Sequence, residues 1–414
     1  MAVDTSSISI LIIGNYRQTL MVVRSLDGRG YRLIVGNDGD TARVEHSRHV
    51  AEVWNHPPAG ADKAAFLAAL EALLSRRRDI AFLYPVGEDE MLAVSDAYTR
   101  LSARAGILMP VPDVVRTCLD KSLMLGVADG LDIPQAPHAT VSSLDGLHAA
   151  AGRIGFPLVV KPTDSGFRLL GRKAVICRHS DDMESAFSTW PVDGRRLIVQ
   201  RHAGGVRHNV YFFAVDGKLV QASQVRILRT DKPDDTGLAV SGVTVPLDPE
   251  LDGYCRRLLE HLAYTGAGCI QFLVDGENGH VSFLELNPRL GANSAVVYRA
   301  GLDLPAMAFG LAQGCFDAAA AEYRRSCRTG VHYAWTQGEL LALKKAIANR
   351  DLGPLEVLAR LLVVARTFVT SSVHITWSWK DPLPTLLLYL DLLNLSGRQK
   401  ARRAGEGAKT ERPR

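Results

Sequence analysis

The side chains best suited to chemistry in this 414-residue chain are Gln271, Glu285 and Asn287. Glu285 and Asn287 stand two apart in an apolar run that reads as a strand, so both project from one face. Gln271 falls on the preceding strand candidate, across the turn Asp275-Gly276-Glu277-Asn278-Gly279, and can reach the same space. One carboxylate with two amide oxygens is a hard, oxygen-only set of the kind Mg²⁺ takes. Alone it is a weak cage; it makes sense when a polyphosphate adds further oxygens. The three residues could equally form a polar hairpin face bonded to itself, and their spacing leaves both readings open. Arg289, after Pro288, adds a cationic planar fork suited to a transferring phosphoryl group or an acyl-phosphate oxyanion.

With Pro288 and Arg289 included, the segment reads Q…E-x-N-P-R, with Gln271 and Glu285 fourteen positions apart. This resembles the ATP-grasp superfamily, in its carbamoyl-phosphate-synthetase-like and carboxylate–amine ligase branches. The resemblance covers roughly residues 80–315, with several motifs in order. Asp120-Lys121, followed by Leu131-Asp132-Ile133-Pro134, implies a phosphate contact for Lys121; a plain surface lysine is the alternative. Lys161 closes the apolar run 156–160 and matches the second nucleotide lysine of the family. An ammonium at the end of a buried strand needs a partner, and a phosphate would supply one. Ser165, Gly166 and Gly171 fall where the family places a glycine-rich loop whose amides cover the phosphates. Here the loop 163–173 departs from that pattern, since bulky Phe167, Leu169 and Leu170 separate its two glycines. Arg168, Arg172 and Lys173 could compensate with charge.

The resemblance further implies that Gln200 and the backbone of Arg201 and His202 read adenine, and that Asn209 meets the ribose. Arg226 and Arg229 take the place of an arginine contacting phosphate or the acceptor carboxylate, and they join Arg289 as the catalytic set. His202 and His208 read as structural or solvent-facing histidines rather than bases. Asp89 and Glu90 resemble a Gly-x-Asp-Glu junction, expected to stabilise a domain boundary or border the acceptor pocket. The implied cofactors are ATP and Mg²⁺, with Mn²⁺ an alternative. The implied reaction is activation of a small-molecule carboxylate as an acyl phosphate and its coupling to an amine, releasing ADP and phosphate. An ATP-grasp kinase, a carboxylase-type enzyme and a non-catalytic nucleotide-binding regulator are the competing readings. Gly14 lacks the companion glycines of a dinucleotide fingerprint, so an NAD-dependent enzyme is not expected.

Four regions must position these residues. Residues 1–115 alternate strand signals (8–13, 31–35, 80–84) with a helical pattern at Phe66, Leu70, Leu73 and Leu74, which predicts a Rossmann-like α/β domain with a parallel sheet. Residues 116–315 mix strand runs (156–161, 196–200, 210–215, 218–223, 269–274, 280–286) with helices, and Asp216-Gly217 signals a tight hairpin. They are expected to form an α+β ATP-grasp domain whose two subdomains clamp ATP. Residues 320–395 read as a helical C-terminal extension, with an apolar stripe at Leu355, Leu358, Leu361, Leu362, Ala365, Phe368 and Val369. The extension is a candidate for shaping an acceptor pocket. Trp377 and Trp379 could line that pocket or pack against the final helix. Residues 396–414 form a basic, disordered tail.

Composition is that of an ordinary soluble domain protein, 47% hydrophobic and 22% charged. The tail holds seven Lys/Arg against two Asp/Glu, a local +5 of the total +4, so the rest of the chain carries −1. That distribution argues against nucleic-acid binding, though the tail could touch an anionic surface. The apolar stretch 383–395 is too short and interrupted to span a bilayer. Six scattered cysteines without a CxxC pair suit a reducing, cytoplasmic setting. A homodimer is admitted but not specified.

Overall fold

The computed structural model describes residues 8–393 except 40–41, 164–168, 171, 189, 191–194, 233–236, 278 and 318–325. Ser9–Ile13 is buried along its whole length. It pairs in parallel with Arg32–Asn37 on one side and Ile80–Pro85 on the other. Glu52–Asn55 and Gly106–Ile107 complete a five-stranded parallel sheet. Alternation divides the central strand between two cores. Ile10 and Ile12 pack with Leu20, Val22 and Val23 of the helix Arg17–Leu26, whereas Leu11 and Ile13 pack with Phe66 and Leu70 of Lys63–Arg76.

The next region makes two sheets. Leu158–Pro162 and Leu197–Arg201 form the middle of a four-stranded antiparallel sheet with His138–Val141 and Val175–Cys177 at its edges. Val281–Asn287, Gly266–Val274, Val206–Val215, Lys218–Thr230 and Ala239–Val245 follow one another in the second sheet. Asp216 and Gly217 have φ of 48° and 75°, the pair of positive values that a two-residue hairpin turn demands. The helix Pro249–His261 covers one face of this sheet, with Leu251, Tyr254 and Leu258 against Val210, Phe212, Ile270 and Phe272. The other face carries Tyr211, Phe213 and Cys269 into a core shared with Tyr84, Val86 and Phe309. Full burial of each such large apolar side chain contributes about 1.5–3 kcal/mol. The sheet is thereby fixed to the first domain on one side and to its own helices on the other.

The C-terminal region is mainly helical, with the helices Thr336–Ala348 and Pro354–Thr370. It also adds two short strands, since His332–Ala334 and Val373–His374 extend the second sheet to seven strands. Segments of three and two residues are too short for alternation to show in sequence. The helix Pro354–Thr370 does form, but it buries Val364 alone, and Leu355, Leu358, Leu362, Phe368 and Val369 are exposed. The apolar stripe is therefore largely a surface. Trp379 is 86% exposed, its ring against Trp377.

Asp381 ties this region to the first domain. Its carboxylate accepts from Arg24 Nε at 3.0 Å, Ser47 Oγ at 2.8 Å and the Arg48 amide at 3.0 Å. Arg24 also donates to the Thr376 carbonyl. No helix among the described residues is long and apolar enough to cross a membrane. The tail 396–414, Ser165, Gly166 and Gly171 lie outside the described residues.

Candidate functional site

Strand register builds the site. Asn209 on Val206–Val215 faces Gln271, and Gln271 faces Glu285, so three side chains form one row across three strands. Cys269 faces Asn287 in the next row on the same side. Directly opposed residues in an antiparallel sheet share a face, and Phe272 and Phe283 on the opposite face are buried under the helix Pro249–His261. Asn287 Nδ2 donates to Glu285 Oε1 at 2.8 Å, which orients both residues. Asn209 Oδ1 is buried and has no hydrogen-bond partner. Its place in this row, beside Gln271, differs from a separate ribose position.

Three lysines converge on Glu285. Asp120 caps the helix Lys121–Gly130 by accepting from the Ser122 and Leu123 amides. The Lys121 amide donates to the Thr163 carbonyl at 3.1 Å, which ties that helix start to the end of the strand carrying Lys161. Burial works against the charged form of Glu285, but Lys121, the Asn287 amide, Lys173 and Lys161 outweigh it, and the carboxyl is held below its usual range. Burial pushes Lys161 down to about 8, with Glu285 opposing and Lys121 adding to the shift. Lys161 Nζ donates to Gln200 Oε1 at 2.9 Å. Gln200 is thereby engaged with the lysine and, through Nε2, with the Ala136 carbonyl.

The adjoining backbone is partly committed. The Arg201 amide donates to the Pro137 carbonyl at 2.8 Å and the His202 amide to Pro157 at 2.9 Å. These two N–H groups are therefore engaged, and the expected pairing of the backbone with a base edge would fall to the carbonyls. The Arg201 guanidinium donates to the Phe156 carbonyl.

The arginines separate. Arg289 lies beside Glu285, and its Nε and Nη2 donate to Glu88 Oε1 at 3.1 and 2.5 Å. Burial would lower its pKa, but Glu88 and Glu285 raise it on balance, so it stays cationic. Gly291 lets the chain after Arg289 cross the Tyr211 ring, which a Cβ there would meet at 2.7 Å. Arg226, by contrast, pairs in register with His208, whose partner on the other side is Phe272. Arg226 is therefore on the face opposite Glu285, because strand alternation sends its side chain away. Arg229 is turned to the C-terminal helices, where it meets Glu339 at 2.5 Å and Thr367 Oγ1 at 2.8 Å. Neither belongs to the Glu285 cluster.

Several members had no signal in the sequence. Glu88 begins the helix Glu88–Asp96, ahead of Asp89 and Glu90. That acidic first turn was the only hint of a partner for Arg289. Glu90 is buried and accepts from Tyr16 Oη at 2.9 Å, so its place is between the first sheet and helix rather than beside a phosphate. Arg17, at the start of Arg17–Leu26, stacks 3.3 Å over the Trp335 ring. It is pushed down to about 10, by burial first, and feels the charge of Arg289.

Among the described residues no cluster of three His, Cys, Asp or Glu could hold a metal. The amide–carboxylate row is of another kind. Its oxygen-only donors, the unpartnered Asn209 oxygen and the adjacent lysines fit a hard divalent ion shared with phosphates.

Residues 248–316 match the family model for the carbamoyl-phosphate synthase L chain, ATP binding domain. The chain is 28% identical over 186 residues to acetyl-CoA carboxylase of Dictyostelium discoideum, covering 42% of this chain and 8% of that protein. It is 26% identical over 268 residues to the carbamoyl phosphate synthase large chain of Nostoc sp., covering 59% and 23%. It thus spans well under half the length of these curated relatives. Among solved structures, a biotin carboxylase–ATP-analogue complex from Campylobacter jejuni superposes with a TM-score of 0.61 at 18% identity, over 78% of this chain and 74% of that one. N5-carboxyaminoimidazole synthetase from Staphylococcus aureus complexed with ADP gives 0.57 at 14%, over 71% and 73%. With the register of Gln271, Glu285 and Asn287, these likenesses identify the fold as ATP-grasp, with residues 248–316 similar to the carbamoyl-phosphate synthase ATP-binding domain.

Proposed function

We propose that the protein is a Mg-ATP-dependent ligase that activates a small-molecule carboxylate and couples it to an amine. The observation that carries this reading is the convergence of Lys121, Lys161 and Lys173 on Glu285, within an oxygen-only row and beside Arg289. In this reading Gln271, Glu285 and Asn287 would hold Mg²⁺, which would supply positive charge to stabilise the phosphates during transfer. Lys121 and Lys161 bind the nucleotide phosphates. Lys161 moves from its bond with Gln200 to a phosphate, whose charge restores its usual basicity. A carboxylate oxygen of the substrate attacks the γ-phosphorus, and the bond from that phosphorus to the β–γ bridging oxygen breaks, leaving ADP. The amine nitrogen then attacks the acyl carbon, the carbon–oxygen bond to phosphate breaks, and the nitrogen loses a proton. Arg289, held in place by Glu88, stabilises the oxyanion with its remaining N–H groups. Positioning and preorganised charge supply the rate.

The names of the relatives and structural neighbours favour a second reading, a carboxylase-type enzyme activating bicarbonate. Incubation with Mg-ATP and pooled acids, amines and amino acids, with and without bicarbonate, separates the two. Release of ADP and phosphate that needs both an acid and an amine supports the ligase. Release that needs bicarbonate supports the carboxylase. ADP without phosphate indicates a kinase, no turnover indicates a regulator, and AMP with pyrophosphate rules out the acyl phosphate.

A further inference from the structure

The C-terminal region encloses a second polar site. The end of the strand Lys218–Thr230 and the helices Thr336–Ala348 and Pro354–Thr370 bound a cavity of about 350 Å³, the size of a small-molecule pocket. Glu339, only 7% exposed, lines it. One oxygen, Oε1, meets Arg229 at 2.5 Å. The other, Oε2, is buried and has no hydrogen-bond partner. A carboxylate oxygen removed from both water and donors costs free energy that a ligand N–H would recover.

The remaining lining narrows the ligand. Arg229 is already neutralised by Glu339, so the polar end of the cavity offers an acceptor rather than a free cation. Lys232 and Arg360 supply cations elsewhere on the wall, and Leu343, Val363 and Val364 supply an apolar surface. A molecule matching all three has an amine, a carboxylate and an apolar body. A phosphate dianion would face Glu339 and Asp231 instead. Asp231 on its wall and Arg289 both act on the charge of Arg17. Arg17 stacks on Trp335, the residue preceding the helix that carries Glu339. Arg17 Nη1 and Trp335 Nε1 are themselves buried without partners.

We infer that this cavity is the subsite for the amine co-substrate, and that the co-substrate is an α-amino acid with an apolar side chain. Glu339 Oε2 accepts from its amino group, Lys232 and Arg360 face its carboxylate, and the side chain lies against Leu343, Val363 and Val364. The assignment to a co-substrate rests on the ligase reading; the binding chemistry does not.

Calorimetry on the full chain, with and without Mg²⁺ and a non-hydrolysable ATP analogue, tests it. The probes are L-leucine, L-valine and L-phenylalanine, against 4-methylpentanoate, which lacks the amine, isoamylamine, which lacks the carboxylate, and glycine. At least one apolar amino acid should bind roughly 10–100-fold more tightly than its truncated analogues. Glu339→Gln should weaken it by about tenfold or more. Ala359→Trp, at an exposed position on the cavity rim, should block leucine while the nucleotide analogue binds as before. Nucleotide binding without amino-acid binding, equal affinity for the truncated analogues, or unchanged binding by Ala359→Trp would overturn the subsite. Amino-acid binding without nucleotide binding would keep the subsite and remove the ligase reading.

Discussion

Two carboxylates, half-buried Glu285 and buried Glu339, are treated in opposite ways. Glu285 is surrounded by Lys121, Lys161, Lys173 and the Asn287 amide, which together hold it ionised against its burial. Glu339 has one cation, Arg229; burial dominates and its pKa is raised. The first environment, with its excess positive charge, fits the metal and polyphosphate of the proposed reaction. The second has an unpartnered acceptor and apolar walls, which suit the donor-bearing organic molecule inferred for it. The contrast teaches that the same side chain is held ionised where several cations reach it and pushed toward neutrality where burial outweighs a single one.

The largest break in this comparison should come from Glu285→Ala. ADP release is expected to fall by roughly 10²–10³-fold or more while circular dichroism stays unchanged; full activity would refute the metal assignment. Next, Asp381→Ala removes the carboxylate that joins the C-terminal layer to Arg24, Ser47 and Arg48, and leaves Arg24 without its ion-pair partner. We expect a loss of about 3–5 kcal/mol in urea unfolding of that layer, with nucleotide affinity largely kept. Equal loss of both would show that the two regions do not separate. The pKa of Asp381 is lowered despite its burial, by Arg48, Ser47 and Arg24. Its contribution is therefore present above the ordinary aspartate value and is lost as pH falls through the native one.

Lys161→Met should weaken nucleotide binding by about 10–100-fold. In the unsubstituted protein, affinity should decline as pH rises through about 8, where Lys161 loses its proton. A flat titration across that range would place the phosphates elsewhere. The smallest effect concerns Glu90, pushed up to about 7, chiefly by burial, from an ordinary 4.5. Between those values the native state binds the extra proton, so stability falls as pH rises through the window. Glu90→Gln should flatten that slope and stabilise the protein by about 1–3 kcal/mol at pH 8, measured by chemical unfolding.

Much of the nucleotide face was legible because its residues lie on long strands with strict alternation. Glu285 and Asn287 share a face by parity, and Gln271 is one hairpin away. Asp216-Gly217 marked the hairpin that sets Asn209 opposite Val225, whereas Asn209 meets Gln271 through a pairing of strands distant in sequence. Arg226 shows the limit of the same reasoning. Its strand belongs to the same sheet, but its parity depends on a register across four strands that local sequence does not display. Arg229 was diverted by Glu339, which is 110 positions away in the chain. Short strands such as Val373–His374 carry too little pattern to be seen.

By itself, then, the sequence determined the α/β first domain, the paired strands and the chemical types gathered at Gln271, Glu285, Asn287, Lys121, Lys161 and Arg289. These follow from local periodicity and turn chemistry. Tertiary structure alone decided that Glu88 would hold Arg289, that Asn209 would stand in one row with Gln271 and Glu285, and that the 354–370 stripe would face outward. It also decided that Lys121, Lys161 and Lys173 would act together on Glu285. Those side chains arrive from other sheets and helices, and burial and charge act through space without regard to position along the chain.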